Sequence, residues 1–419
     1  MLPDLPAVFI LLGLTAYTVL AGADFGAGSW MLVSGGAGRA AVRDHARHAM
    51  GPVWEANHVW LVFVLVVCWT AYPVAYASIV STLAVPLFVA AIGIILRGAA
   101  YALRGQLDAT PGRRAIETVF ALSSVLTPFA LGTVAGAIAT GRVPVGNAEG
   151  NLLSSWLNPT SVLIGTLAVA TSSFLAAVYL AADARRLRDH GLEHAFRSRA
   201  LAAGAVTGAL ALAALLVVRL DAPLLWDGFT RGAGLLMVGL SAAAGLVTLA
   251  LVRRAHFGGA RASAALAVAA IVTGWAAAQE PRFLPGLTVG QAAAGTSTLT
   301  AVVTTVVIGA IVLVPSLTLL FALFLRGRLD AGAAPGTPVP DPHRAADGRP
   351  PRLGPVFALA CLVVGAGLLV FGNAGWVHAV AVALLCGYAA SAFVLAATTP
   401  ADASPATAAP GTRRPGSAV

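Results

Sequence analysis

Eleven apolar runs constrain this chain more than any other feature. They fall at approximately 6–33, 52–71, 73–103, 115–140, 158–182, 200–218, 229–252, 262–278, 295–325, 355–372 and 376–397. Each has about 17 residues or more, the minimum for a membrane-crossing helix. In lipid every backbone polar group must be bonded within its own segment or in a closed barrel. These runs are not the short alternating segments of a barrel, so the spans are expected to be helices. Hydrophobic residues make up 58% of the sequence and charged residues only 10%, against roughly 25% charged in a soluble domain. The sequence therefore reads as an all-α polytopic membrane protein.

The arginines give the runs an orientation. All 26 basic residues are arginine, and the net charge is +9. With the N-terminus outside, 22 arginines fall in the alternate, cytoplasmic segments, Arg97 among them; the outer segments hold Arg142, Arg219, Arg231 and Arg282. This bias fits eleven spans, N-out and C-in. It also points to an anionic membrane surface rather than nucleic acid as the partner of the basic charge. The first run lacks a basic leader and reads as a retained helix. Cys68, Cys361 and Cys386 sit inside apolar runs without metal-ligand spacing and read as buried small hydrophobes. The expected organisation is a membrane domain over 1–330, a flexible linker over 331–354, a transmembrane hairpin over 355–398 and a disordered tail over 399–419. No Walker A loop, dinucleotide fingerprint or His-Glu-x-x-His site is present.

Two polar stretches interrupt this pattern. Ala21–Gly28 contains Asp24 with Gly22, Gly26 and Gly28. Gly51–Trp60 contains Trp54, Glu55, Asn57, His58 and Trp60. Asp24 lies about 18 residues into the first helix, roughly 27 Å along it. Glu55 lies one turn inside the second helix, which starts on the cytoplasmic side at Pro52. His58 shares its face. Asp24, Glu55 and His58 should therefore meet at one depth near the cytoplasmic surface. Each has a purely structural reading: Glu55 on a helix dipole, Asp24 bonded to its own helix, His58 satisfied in a core. Trp54 and Trp60 then form an interfacial belt, and the glycines permit close packing. Two carboxylates and an imidazole at one depth equally fit a proton-handling site. A secondary transporter is a competing class, since a glycine-broken first helix carrying Asp24 could form a substrate site. A scaffold with every polar group satisfied is a third. Among the histidines only His58 is well placed in a span, and no His or Met pair suits a haem. A redox centre is therefore expected in a partner.

These residues resemble a known family. Gly22-Ala23-Asp24-Phe25-Gly26-Ala27-Gly28 is similar to the Gly-x-Asp-x-Gly-x-Gly stretch in subunit II of cytochrome bd-type quinol oxidases. The 51–61 stretch resembles that subunit's second-helix signature, and Trp69-Thr70-Ala71-Tyr72-Pro73 follows in order and spacing. The resemblance covers 6–330 in organisation and is sharp over about 20–75. It implies two four-helix bundles plus a peripheral helix, a haem-free subunit, and a partner subunit I carrying haem b and haem d. The complex would oxidise ubiquinol or menaquinol and reduce oxygen in the bacterial cytoplasmic membrane. The resemblance makes Glu55 a proton-pathway carboxylate. No cofactor is assigned to this chain itself, although some members hold a structural quinone here. A small single-helix subunit and membrane lipid are further partners to expect. Three departures stand out: many relatives have Asp at the position of Glu55 and Glu or Gln at that of His58; the 355–397 hairpin lies outside the nine-helix pattern; the outer segment 279–294 is short.

Overall fold

The computed structural model describes residues 1–33, 39–49, 54–103, 111–325, 353–371, 376–377, 380–385, 387–388 and 391. They form fourteen helices and one small β-hairpin: α1 (Leu5–Val33), α2 (Arg39–Ala49), α3 (Trp54–Ala71), α4 (Pro73–Thr82), α5 (Ala84–Leu103), α6 (Pro111–Ala139), α7 (Pro159–Arg186), α8 (His190–Asp221), α9 (Pro223–Phe229), α10 (Gly232–Arg253), α11 (Phe257–Gln279), β1 (Arg282–Leu284), β2 (Leu287–Thr288), α12 (Val289–Ala292), α13 (Thr296–Leu325) and α14 (Leu353–Phe371). Among the described residues, eight helices are long and apolar enough to cross a membrane, and Ala56–Ala71 of α3 is a shorter apolar helix. The chain is thus an all-α, multi-pass integral membrane protein.

Residues Met1–Leu319 form one compact unit. Within it α1 packs against α3, α6, α7 and α11, while α7 pairs with α8 and α10 with α11. The core along these contacts is built largely of alanine, with Phe120, Phe174, Leu175 and Phe196 among the larger side chains. Small residues let membrane helices approach closely where lipid supplies no hydrophobic drive between them.

Local chemistry accounts for the helix ends. Asn158 caps α7 by accepting from Ser161 N at 2.9 Å, and Pro159 follows at the first helical position. Asp189 caps α8 through Leu192 N, also at 2.9 Å. The run at 73–103, expected as one helix, is divided between α4 and α5 at Leu83. Pro86 has no N–H to offer Thr82 O, and its ring clashes there, so the helix breaks one turn earlier.

One expectation is corrected, and two segments gain structure. The glycines of the first helix do not break it: α1 is continuous through Gly22–Gly28, which removes the broken-helix basis of the transporter reading. The basic segment after α1 is not simply a loop. It contains α2, whose Val42, His45 and Ala46 are buried on one face. The segment 279–294 holds β1, β2 and α12, the last opened by a Thr288/Gln291 capping box.

The second compact unit, Leu320–Val419, is described mainly through α14. Gly365 of α14 lies against Ala381, Leu384 and Leu385. The linker at 331–354, apart from the first residues of α14, and the tail at 399–419 lie outside the described residues, as do His378 and Cys386.

Candidate functional site

The site forms where α1, α3, α5 and α6 meet. α1 runs toward the end of the unit from which α3 departs. Asp24 is nine residues before Val33, about 13 Å from that end of α1; His58 is four residues into α3, about 6 Å along it. α1 packs against α3, and the Asn57–Leu20 bond sets this part of α3 about one turn from Asp24 along α1.

Asp24 is buried and ion-paired. Arg97 Nη2 donates to Asp24 Oδ1 at 2.8 Å and to the Asp24 carbonyl at 3.0 Å. Arg97 Nη1 donates to Ser124 Oγ, which in turn donates to Phe120 O at 2.6 Å. The guanidinium lies 4.2 Å from the Phe120 ring centroid and 5.0 Å from that of Phe25. Arg97 is 1% exposed, a burial that an arginine tolerates only when its charge is matched and its stem packed. Asp24 Oδ2 has no hydrogen-bond partner among the described residues.

His58 stands beside this pair, within electrostatic reach of Asp24. Its ring meets Phe25 edge-on at 5.8 Å and Tyr17 at 6.0 Å, so three rings from two helices close one side of the site. Asn57 is buried, and its Nδ2 donates to Leu20 O at 3.4 Å, tying α3 to α1. Glu55 and Trp54 occupy the first turn of α3 by their backbone. Their side chains lie outside the described residues, so of the expected trio only Asp24 and His58 can be placed.

The three motif glycines are not equivalent. A Cβ on Gly26 would come within 1.9 Å of Ser172 O, and one on Gly28 within 2.1 Å of Ser124 Oγ and 3.0 Å of Arg97 Nη1. Gly26 therefore lets the α7 backbone approach, and Gly28 leaves room for the Arg97–Ser124 contact. At Gly22 an added Cβ meets only ordinary contacts at 3.5 Å.

Trp60 is half-buried, packs edge-on against Phe63 and lines a groove of about 840 Å³ with Phe9, Leu12, Val307 and Pro315, among others. Among the described residues, no charged or hydroxyl-bearing side chain lines this groove.

Sequence reasoning missed Arg97, which it counted with a cytoplasmic segment, together with Ser124 and the Tyr17–Phe25 wall. One signal was available: a carboxylate at membrane depth needs a counter-charge, and Arg97 lies inside an apolar run.

Comparison with known proteins follows the same boundaries. The family model described as "Cytochrome bd terminal oxidase subunit II" matches residues 2–324. The "Cytochrome bd ubiquinol oxidase subunit 2" of Bacillus subtilis (strain 168) is 29% identical over 121 residues, 28% of this chain and 35% of that one. The "Putative cytochrome bd menaquinol oxidase subunit II" of the same organism is 22% identical over 214 residues, 51% of this chain and 61% of the relative. The chain thus spans between about a third and three-fifths of these curated relatives. A solved structure, that of bd oxidase from Geobacillus thermodenitrificans, contains a chain of the same fold: TM-score 0.65 at 24% identity, covering 77% of this chain and 98% of that one.

Proposed function

Because the chain belongs to the cytochrome bd terminal oxidase subunit II family, we propose that it is the haem-free membrane subunit of a bd-type quinol oxidase. In this reading it stabilises a haem-bearing subunit I in the bacterial cytoplasmic membrane and helps bring cytoplasmic protons to the oxygen-reduction site. The partner's haems would supply the redox chemistry, with quinol as reductant and oxygen as acceptor. The remaining expectations belong to the same proposal: two four-helix bundles with a peripheral helix, eleven spans with the N-terminus outside, and an added hairpin over 355–398.

The observation that supports the proton role is the packing of His58 on Phe25, the neighbour of Asp24, with Asp24 Oδ2 lacking a donor among the described residues. Glu55 and His58, one turn apart on α3, would take protons at the mouth. Asp24, its charge matched by Arg97, would be the inner polar group that they face. A matched charge can sit in an apolar bundle without the full cost of a lone ion.

Glu55→Gln tests this role. It keeps the shape and polarity of the side chain but removes the exchangeable proton. The expected result is a complex with unchanged haem content whose oxygen consumption falls by about tenfold or more, the scale of a lost proton-transfer group. Wild-type turnover in this variant would refute the proton role and leave only the stabilising one.

A further inference from the structure

The tips of the α7–α8 and α10–α11 hairpins carry a charge surplus that the site above does not use. Residues 183–199 and 253–261 hold eight arginines against three carboxylates. All three carboxylates are engaged within the protein. Asp183 Oδ1 accepts from Arg261 at 2.8 Å. Glu193 lies 3.5 Å from both Arg185 and His190. Asp189 caps α8.

Two arginines fasten the tips together. Arg185 Nη1 donates to Ala255 O at 2.8 Å, and Arg197 Nη2 donates to Arg253 O. Guanidinium groups suit these carbonyls, which the end of α10 leaves unbonded. Arg199 is spent on the rings of Phe196 and Trp30, at 5.4 and 5.9 Å. That leaves the guanidinium groups of Arg186, Arg188, Arg253 and Arg254, all exposed and without a partner among the described residues. The joins at Arg185 and Arg197 bring together the two turns that carry these four. Both turns are tight, with Arg188 at φ +59° and Ala255 at φ +55°. Leu187, between Arg186 and Arg188, is 65% exposed.

We propose that the paired tips bind the phosphodiester headgroup of an anionic phospholipid in the leaflet they face. Four unpaired guanidinium groups supply bidentate donors for phosphate oxygens. The cluster lies at the ends of four helices long and apolar enough to cross a membrane. An exposed leucine between two of the arginines suits the acyl boundary and not a soluble acidic partner.

The full-length protein, with whatever subunits accompany it, is reconstituted in vesicles of mixed phosphatidylglycerol and phosphatidylcholine. It is then extracted in detergent, and the retained lipid is identified by mass spectrometry. The wild type should retain phosphatidylglycerol over phosphatidylcholine by about tenfold or more, given the contribution of each arginine near an anionic surface. The R186Q/R188Q/R253Q/R254Q variant should lose that preference, and the corresponding lysine variant should keep most of it. Millimolar inorganic phosphate should leave the lipid bound. Equal retention of the two lipids by the wild type, unchanged preference in the glutamine variant, or displacement of the lipid by free phosphate would each overturn the proposal. Should the glutamine variant fail to fold, the wild-type preference and its resistance to phosphate decide the matter.

Discussion

Replacing Arg97 with Met gives the sharpest test of how this bundle holds together. The Arg97 and Asp24 side chains are only 2% and 6% exposed. Arg97→Met keeps most of the aliphatic stem but leaves Asp24 as a lone buried charge. It also removes donors to Ser124 and to the Asp24 carbonyl. Breaking a buried pair from one side costs about 3–5 kcal/mol, so the folded-to-unfolded ratio falls by two to more than three orders of magnitude. Replacing both partners removes the uncompensated charge. Asp24→Leu/Arg97→Met should therefore recover at least about 2 kcal/mol relative to the sum of the single changes. The assay is denaturant unfolding of the purified protein in detergent, followed by tryptophan fluorescence, for the wild type, both single variants and the double variant. Arg97→Met within about 0.5 kcal/mol of wild type, or strictly additive losses in the cycle, would refute the reasoning.

Other perturbations separate the roles of neighbouring residues. Gly26→Ala drives a Cβ into the Ser172 carbonyl and should destabilise the α1–α7 contact by about 1–3 kcal/mol, whereas Gly22→Ala should be neutral or slightly stabilising; thermal unfolding of the two variants checks the contrast. Gly28→Ala should displace Ser124 and Arg97 and behave as a partial Arg97→Met. Tyr72 is fully buried and its Oη donates to Pro3 O at 2.5 Å, so Tyr72→Phe should cost about 1 kcal/mol and increase amide exchange at the start of α1.

The helices were legible in the sequence because lipid imposes so strict a rule: long apolar runs become helices. That α3 brings His58 into the neighbourhood of Asp24 was legible for a related reason, since the two stretches lie near the facing ends of consecutive apolar runs. Arg97 was not. Its distance from the end of its run placed it equally well in a loop, and only the rotation of α5 about its axis turns it toward Asp24. Rotation also decides which glycines matter: Gly26 faces α7 closely, while Gly22, one turn earlier, has room to spare. The division of the third run at Leu83 could have been read from Pro86. The helical nature of the 39–49 segment could have been read from the spacing of Val42, His45 and Ala46.

The central claim is that this chain is a haem-free subunit working with a haem-bearing partner. Purifying the tagged, full-length chain from its native membrane and recording the visible spectrum of the product tests it most directly. The account predicts a second large membrane subunit, haem absorbance and quinol-dependent oxygen consumption in the same fraction. A chain that is isolated intact, alone and colourless under conditions that preserve its fold would contradict it.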